Sequence, residues 1–389
     1  MSIQVVRTEA FVFRAPIAVP VVNAFGAMTE RVALYLRLTD ADGTEGYAEV
    51  WGNFPTLTAD HRARLFDAFI APRLLAAPVQ DVRAFWHEMD RKLHVWGLQA
   101  GEPGAYAAAL AGADLALHDL AARKAGVPLW QYLGGTDASA LPCYASGLNP
   151  DEQALAQVEG ARAKGYRAFK IKIGFGEQRD VATLAPVFAS LRPGERCMVD
   201  INQGWDFDTA IRMVEVLRQF PLAWIEEPLT CDRPAWEWAA VRAAARSPIA
   251  AGENIRGFLP FQQALADGHF GVMQPDCAKW GGHSATLPVA QAIVGAGKVY
   301  CPHFLGGAVG LMHSLHLLAA VRGPQGKQGL LEWDANPNPL REALLQDVLR
   351  VQDGMVALPQ GPGLGFTPDF GRIAQYQGLY LERRQGKAA

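Results

Sequence analysis

The sequence predicts an α/β protein in which a closed barrel of parallel strands follows an N-terminal region of mixed strands and helices. Two observations carry that prediction. From about residue 140, short apolar strands alternate with amphipathic helical stretches, the pattern of a parallel sheet covered by helices. Along the same stretch an ionisable residue recurs at strand ends, from Lys172 through Asp200, Glu226, Glu253, Asp276 and His303 to Glu332. The separations are 28, 26, 27, 23, 27 and 29 residues. One βα unit of a barrel takes roughly 30 residues, so these groups recur once per unit, at the rim where barrel active sites lie.

Each element follows from local pattern. Residues 1 to about 55 alternate as strands: "IQVVRTEAFVF", then "RVALYLRLTD", a turn at "ADG", and "TEGYAEVW". A turn between two alternating runs predicts an antiparallel hairpin. The intervening "APIAVPVVNAFGAMTE" is too rich in Pro and Gly for regular structure. Helical periodicity follows at 59–76, 81–95 and 104–125, with Gly126 placed as a C-cap. Asp114 and His118, four apart in the third helix, are expected to be exposed or locally bonded rather than a metal pair. The barrel strands read "LPCYASG", "AFKIKIG", "CMVDIN", "AWIEEP", "IAAGE", "GVMQPD", "VYCPH" and "LLEW". After the eighth, "DANPNPLREALLQDVL" has too many early prolines for a clean eighth helix. The chain thus divides into residues 1–130, a barrel over 131–355, and a segment over 356–389. That last segment, loops and one short strand, is expected to pack back on the first.

Composition narrows the partners. Among 389 residues, 36 Lys plus Arg nearly balance 39 Asp plus Glu, with no basic block or acidic tail, which excludes nucleic acid and membrane surfaces as natural partners. No apolar run reaches transmembrane length, and the first residues lack the pattern of a signal peptide. The five cysteines form no CxxC pair, so they are expected to be buried, reduced thiols in the cytoplasm.

The strand-end groups specify a chemistry. Asp200, Glu226 and Glu253 end successive strands, and three carboxylates at one mouth repel unless a cation joins them. Hard oxygen donors favour Mg²⁺ and also suit Mn²⁺. The positions left open on the ion suit a small-molecule carboxylate as substrate. Lys170 and Lys172 share a strand face, and a neighbouring ammonium plus a divalent cation favour the neutral amine that a base requires. Asp276 and His303 end adjacent strands, where a carboxylate orients an imidazole and raises its basicity. Two bases flanking a bound carboxylate are equipment for removing the proton from the adjacent carbon. The metal and Glu332 would hold the enediolate that forms.

These residues resemble the enolase superfamily in its mandelate racemase subgroup, whose use of Lys or His bases with Mg²⁺ is a known pattern. "ALAGADLALHDLAARKAGVPLWQYLGG" looks like the family's last capping-domain helix and its junction with the barrel. "KIK", "VDINQGW", "WIEEP", "AGEN", "PDCAKWGG" and "CPH" look like its barrel motifs in order. The resemblance implies a modified TIM barrel, (β/α)7β, under an N-terminal α+β capping domain, and a homo-oligomer. It implies metal ligation by Asp200, Glu226 and Glu253, catalysis by Lys172, His303, Asp276 and Glu332, and substrate contacts from Lys170 and Asn202. Asp276 stands where relatives resembling muconate lactonizing enzyme carry a lysine, and Lys279 does not fill that place. The implied activity is dehydration or racemisation of a small hydroxy-carboxylate; a cycloisomerase or a silent binding barrel is the alternative. Loops near 16–30 and 51–57 should close the mouth, and their lack of charge argues against a long sugar diacid. Trp205, Trp280, Phe304 and Trp333 are expected to add aromatic surface, and Asn23, Asn53, Asp334 and Asn336 to bind hydroxyls.

Overall fold

The computed structural model describes residues 2–24, 26–150, 153–324 and 326–386. Strands β1 (Val5–Asn23), β2 (Gly26–Asp40) and β3 (Glu45–Val50) form an antiparallel meander. Helix α1 (Thr58–Leu65), a π-helical turn at Phe66–Ile70, α2 (Ala71–Ala76), α3 (Val82–Ala100) and α4 (Pro103–Ala125) follow it. Helix α4 is buried on every side from Ala108 to Ala122, as expected of a helix apolar all round. Its small residues allow that: a Cβ on Gly112 would overlap Val50 of β3.

One expectation is overturned. Residues 16–23 and 26–30 are not irregular, because β1 and β2 run on as a two-stranded ribbon. The register slips after Pro16↔Glu30 and resumes at Val21↔Met28, Val22↔Ala27 and Asn23↔Gly26. Residues 17–20 therefore bulge opposite Thr29. Proline lacks a ladder N–H, and bulges and ribbon edges are where a strand tolerates it.

A short α5 (Leu129–Tyr132) leads into the barrel. Its strands are β4 (Leu141–Leu148), β5 (Ala168–Lys172), β6 (Arg196–Asp200), β7 (Ile225–Glu226), β8 (Ile249–Ala251), β9 (Val272–Met273), β10 (Val299–Tyr300) and β11 (Leu331–Asp334). Between them lie α6 (Ala154–Ala163), α7 (Glu177–Ser190), α8 (Phe207–Val216), α9 (Ala235–Ala244), α10 (Phe258–Asp267), α11 (Gly282–Gly295) and α12 (Ala308–Ala320). After β11 comes only α13 (Pro339–Leu345), so the architecture is (β/α)7β. Strands β4 to β10 pair in parallel in chain order, and β11 returns beside β4. No ladder joins β10 to β11 among the described residues. That seam is bridged by Leu330 N donating to Cys301 Sγ at 3.3 Å and Phe304 N donating to Glu332 Oε2 at 3.0 Å. The interior is filled by side chains, among them a packed cluster that includes Tyr144, Met198, Trp224, Val272 and Leu330.

The hairpin β12 (Val351–Gln352) and β13 (Met355–Val356) covers the start of β4. The last strand, β14 (Gln377–Arg384), pairs antiparallel with β1. Buried carboxylates from the N-terminal unit cap two barrel helices, where the positive dipole end and free N–H groups favour them. Glu49 accepts from Gly307 N at 2.6 Å and Gly310 N at 2.9 Å. Asp114 accepts from His283 N at 2.6 Å and Ser284 N at 3.0 Å. Gly282, at φ 54°, makes that approach possible, since a Cβ there would overlap the Asp114 carboxylate. His118 Nδ1 bonds the Asp114 carbonyl at 2.9 Å, so the pair is locally bonded but buried, not exposed. All five cysteines are free thiols; four are buried, whereas Cys231 is exposed on a loop. Among the described residues, no helix is long and apolar enough to cross a membrane.

Candidate active site

Parallel pairing puts Lys172 level with Asp200, and Asp200 level with Glu226. Lys172 Nζ donates to Asp200 Oδ2 at 2.5 Å. Lys170, one layer deeper and 1% exposed, bonds Glu226 and sits 2.8 Å from Glu332 Oε1 and 3.6 Å from Asp200 Oδ2. His303 Nδ1 lies 2.8 Å from Asp276 Oδ2, and its Nε2 lies 2.5 Å from Glu253 Oε2. Glu332 also accepts from Ser146 Oγ at 2.5 Å. All nine predicted residues thus meet at the carboxyl ends of the strands.

Burial and pairing set the charges. Burial would lower the Lys170 pKa, but the carboxylates of Glu226 and Glu332 hold it well above its usual range. Burial likewise opposes a charged His303, yet Glu253, Glu332 and the Asp276 bond push it up to about 10. Burial pushes Glu226 up to about 7 despite Lys170. For Glu253, the opposing attraction of His303 and Lys279 outweighs burial and holds it well below the usual carboxylate range. Asp200 is lowered in the same way by Lys172 and Lys170.

The three expected ligands do not share one cluster. Among the described residues no three His, Cys, Asp or Glu side chains are arranged to hold a metal ion. Asp200 and Glu226 turn to the lysines, and Glu253 turns to His303 and Lys279, the nearest cations. The residues nevertheless fit a divalent cation. Six carboxylates no more than 12% exposed (Asp200, Glu226, Glu227, Glu253, Asp276, Glu332) crowd around three lysines and one imidazole. Burial pushes Glu226 up to about 7 and Glu227 well above its usual range, a cost that a divalent cation among these oxygen donors would relieve. Asn202, in left-handed backbone at φ 49°, keeps a buried Oδ1 without a hydrogen-bond partner beside Asp200.

A cavity of about 40 Å³ lies over these groups. Lys172, Asn202, Glu253, His303 and Glu332 form its floor with Leu305. Val21, Asn23 and Met28 of the ribbon, with Trp51, Asn53 and Phe54, form its roof. Lys170 does not line it, so its visible role is to tie Glu226 to Glu332. Two larger cavities, of about 700 and 870 Å³, are lined by none of the nine residues.

Several expected cavity residues lie elsewhere. Trp205, Trp280 and Phe304 are buried in packing, and half-buried Trp333 lines the 700 Å³ cavity. The aromatic surface comes from Trp51 and Phe54 instead. Asp334 is held by Arg31 at 2.8 Å and Arg341 at 3.1 Å, and Asn336 donates to the Gly147 carbonyl at 2.8 Å; both line the 700 Å³ cavity and neither lines the small one over the catalytic groups. Lys279 was missed: its Nζ is 3.0 Å from Glu253 Oε1 and 4.4 Å from the Trp51 ring centroid. Gln274, 2.7 Å from Glu226 Oε2, and Ser146 were also missed. Period-two alternation from Asp276 and Tyr144 would have placed both inside the barrel.

Comparison with known proteins agrees with this geometry. A family model described as Enolase C-terminal domain-like matches residues 153–372. One described as Mandelate racemase / muconate lactonizing enzyme, N-terminal domain, matches residues 7–134. The chain is 45% identical, with a TM-score of 0.89, to a mandelate racemase/muconate lactonizing enzyme structure from Bordetella bronchiseptica RB50, covering 97% of this chain and 100% of that one. It is 29% identical to D-galactarolactone cycloisomerase of Agrobacterium fabrum, over 97% of this chain and 99% of that protein. It is 26% identical, with a TM-score of 0.82, to L-talarate/galactarate dehydratase from Salmonella typhimurium LT2, solved with Mg and L-lyxarohydroxamate, covering 98% and 95% of the two chains.

Proposed function

Because this chain belongs to the mandelate racemase / muconate lactonizing enzyme family of the enolase superfamily, we propose that it removes the α-proton of a hydroxy-carboxylate and then expels the β-oxygen. The observation that carries this is the meeting of Lys172 and His303, from the second and seventh barrel strands, at one small cavity. Bound by Asp200, Glu226 and Glu253, Mg²⁺ would polarise the substrate carboxylate and make the α-proton more acidic.

The chain's own groups do the rest. Lys172 accepts the α-proton on one face. His303, its ring fixed by Asp276, stands on the other face, where Nε2–H can protonate the departing oxygen and, once that proton is given up, Nε2 can take the α-proton of the opposite configuration. Glu332, fixed by Ser146 and Phe304 N, carries its own charge beside Lys170 and His303, so it would stabilise charge developing on the carboxylate oxygens only by taking up a proton and donating it in a hydrogen bond. The roof of Trp51, Phe54 and Met28 excludes water. The dehydratase relative favours elimination; racemisation is the second reading, favoured by two bases at one cavity. Incubating hydroxy acids with the Mg²⁺-loaded protein in D₂O, while following α-deuterium and 2-keto acid, tests the choice. A 2-keto acid product supports elimination, inversion without it supports racemisation, and neither with any acid refutes the reading.

A further inference from the structure

We infer that the substrate carries a single carboxylate and an uncharged far end, such as an aldonic acid or a sugar diacid whose second carboxyl is closed into a lactone. This rests on the reading above, that one carboxylate is held at the barrel floor. The far end must then face the roof, and the roof holds no charge. Neither residues 16–29 nor residues 51–57 include a Lys, Arg, His, Asp or Glu, so no movement of those segments can present a cation.

The other cations near the mouth do not reach the cavity: Arg62 bonds the Trp51 carbonyl and stacks on the Trp51 ring, and it is not among the lining side chains. Between the strand ends and the following helices, the loops supply only Arg233, Arg256, Lys279 and His303. Arg233 is bonded to Glu237 at 2.6 Å, and both it and Arg256 line the separate 870 Å³ cavity. Arg256 packs against Gly104 of α4. Lys279 bonds Glu253 and Asn254 Oδ1, lies against the Trp51 ring and is not among the side chains lining the cavity. Arg31 of β2, 3% exposed, is locked onto Asp334 and the Pro337 carbonyl. His303 and Lys172 belong to the reacting end. A second carboxylate would therefore be desolvated against Val21, Met28 and Phe54 without a counter-charge, which is strongly unfavourable. Hydroxyls and ring oxygens are uncharged and incur a much smaller penalty, beside a roof whose polar side chains are the amides of Asn23 and Asn53, the latter bonded to the Leu305 carbonyl.

The test compares matched acids on the Mg²⁺-loaded enzyme. Aldonic acids, aldaric acids of the same length and configuration, and the corresponding aldarolactones are assayed for α-deuterium uptake and 2-keto acid formation. The best monocarboxylate should exceed the best open diacid by about 100-fold or more in kcat/KM. Phe54→Arg and Met28→Arg should each raise the diacid-to-monoacid ratio by about tenfold or more. An open diacid that matches or exceeds the best monoacid overturns this inference and leaves the proton chemistry standing. So does an unchanged ratio in both variants while they still turn over the monoacid. Absence of exchange with every acid overturns the chemistry itself.

Discussion

His303 and His313 are both buried, yet they hold protons with opposite strength. His303 lies between two carboxylates, Asp276 at 2.8 Å and Glu253 at 2.5 Å, which push its pKa up to about 10 against the effect of burial. His313 lies between cap and barrel, 2.9 Å from His283 Nε2 and 2.9 Å from the Tyr47 carbonyl. Burial there meets no negative partner and lowers the pKa to about 3. His316, which accepts from Trp130 N at 3.0 Å, is lowered to about 4 for the same reason. The Tyr47 carbonyl requires His313 Nε2 to donate, so Nδ1 accepts from His283. One cluster is built to hold charge, the other to join two domains with neutral rings. A buried histidine is therefore marked as reactive by its charged neighbours, not by its burial.

That contrast can be broken in a graded way. The largest effect should come from the charges of the mouth: chelation should abolish turnover and Mg²⁺ restore it. Asp200→Asn or Glu253→Gln should weaken Mg²⁺ binding measured by calorimetry. His303→Asn should lower turnover by roughly 10²- to 10⁴-fold while the thermal midpoint stays near that of the parent. His313→Ala should do the reverse, costing about 2–4 kcal/mol in urea unfolding with turnover per folded molecule retained. If the two variants lose activity and stability in the same proportion, the division between the clusters is wrong.

The smallest effect is a pH slope. His313 and His316 titrate near 6.5 when unfolded but near 3 and 4 when folded. Between those values the unfolded chain binds more protons, so stability is full above about pH 6.5 and falls as pH drops towards 4 and then 3. Each histidine contributes about 1.4 kcal/mol per pH unit in its window. His316→Gln should reduce the slope between pH 6 and 4 by that amount, read from denaturation midpoints at successive pH values. An unchanged slope would mean that His316 is not held neutral.

The barrel was legible because the ends of its second to eighth strands carry an ionisable residue once per βα repeat, a signal that needs no tertiary information. The ribbon was not legible, since Pro16 and Pro20 read locally as breakers and only the bulge at residues 17–20 reconciles them with pairing. The histidine cluster was hidden for another reason. His118 sits four residues from Asp114, but the Asp114 carboxylate also meets His283 N and Ser284 N, 169 and 170 residues away. Lys279 was set aside because it did not occupy a familiar position, although its reach to Glu253 depends on loop geometry. Trp51 lies in the 51–57 loop expected to close the mouth, but its ring was not singled out as the aromatic surface, because nothing local distinguishes it among ten tryptophans.

The most direct test of the central claim is stereochemically resolved proton exchange. Lys172 and His303 approach the cavity from the second and seventh barrel strands, so each should serve one configuration at the α-carbon. In D₂O with Mg²⁺, His303→Asn should still exchange the α-proton of the stereoisomer that Lys172 reaches. Lys172→Ala should exchange only the opposite stereoisomer, with the lost reaction down by roughly 10²-fold or more. Equal loss for both stereoisomers in both variants would contradict the assignment of one base to each face.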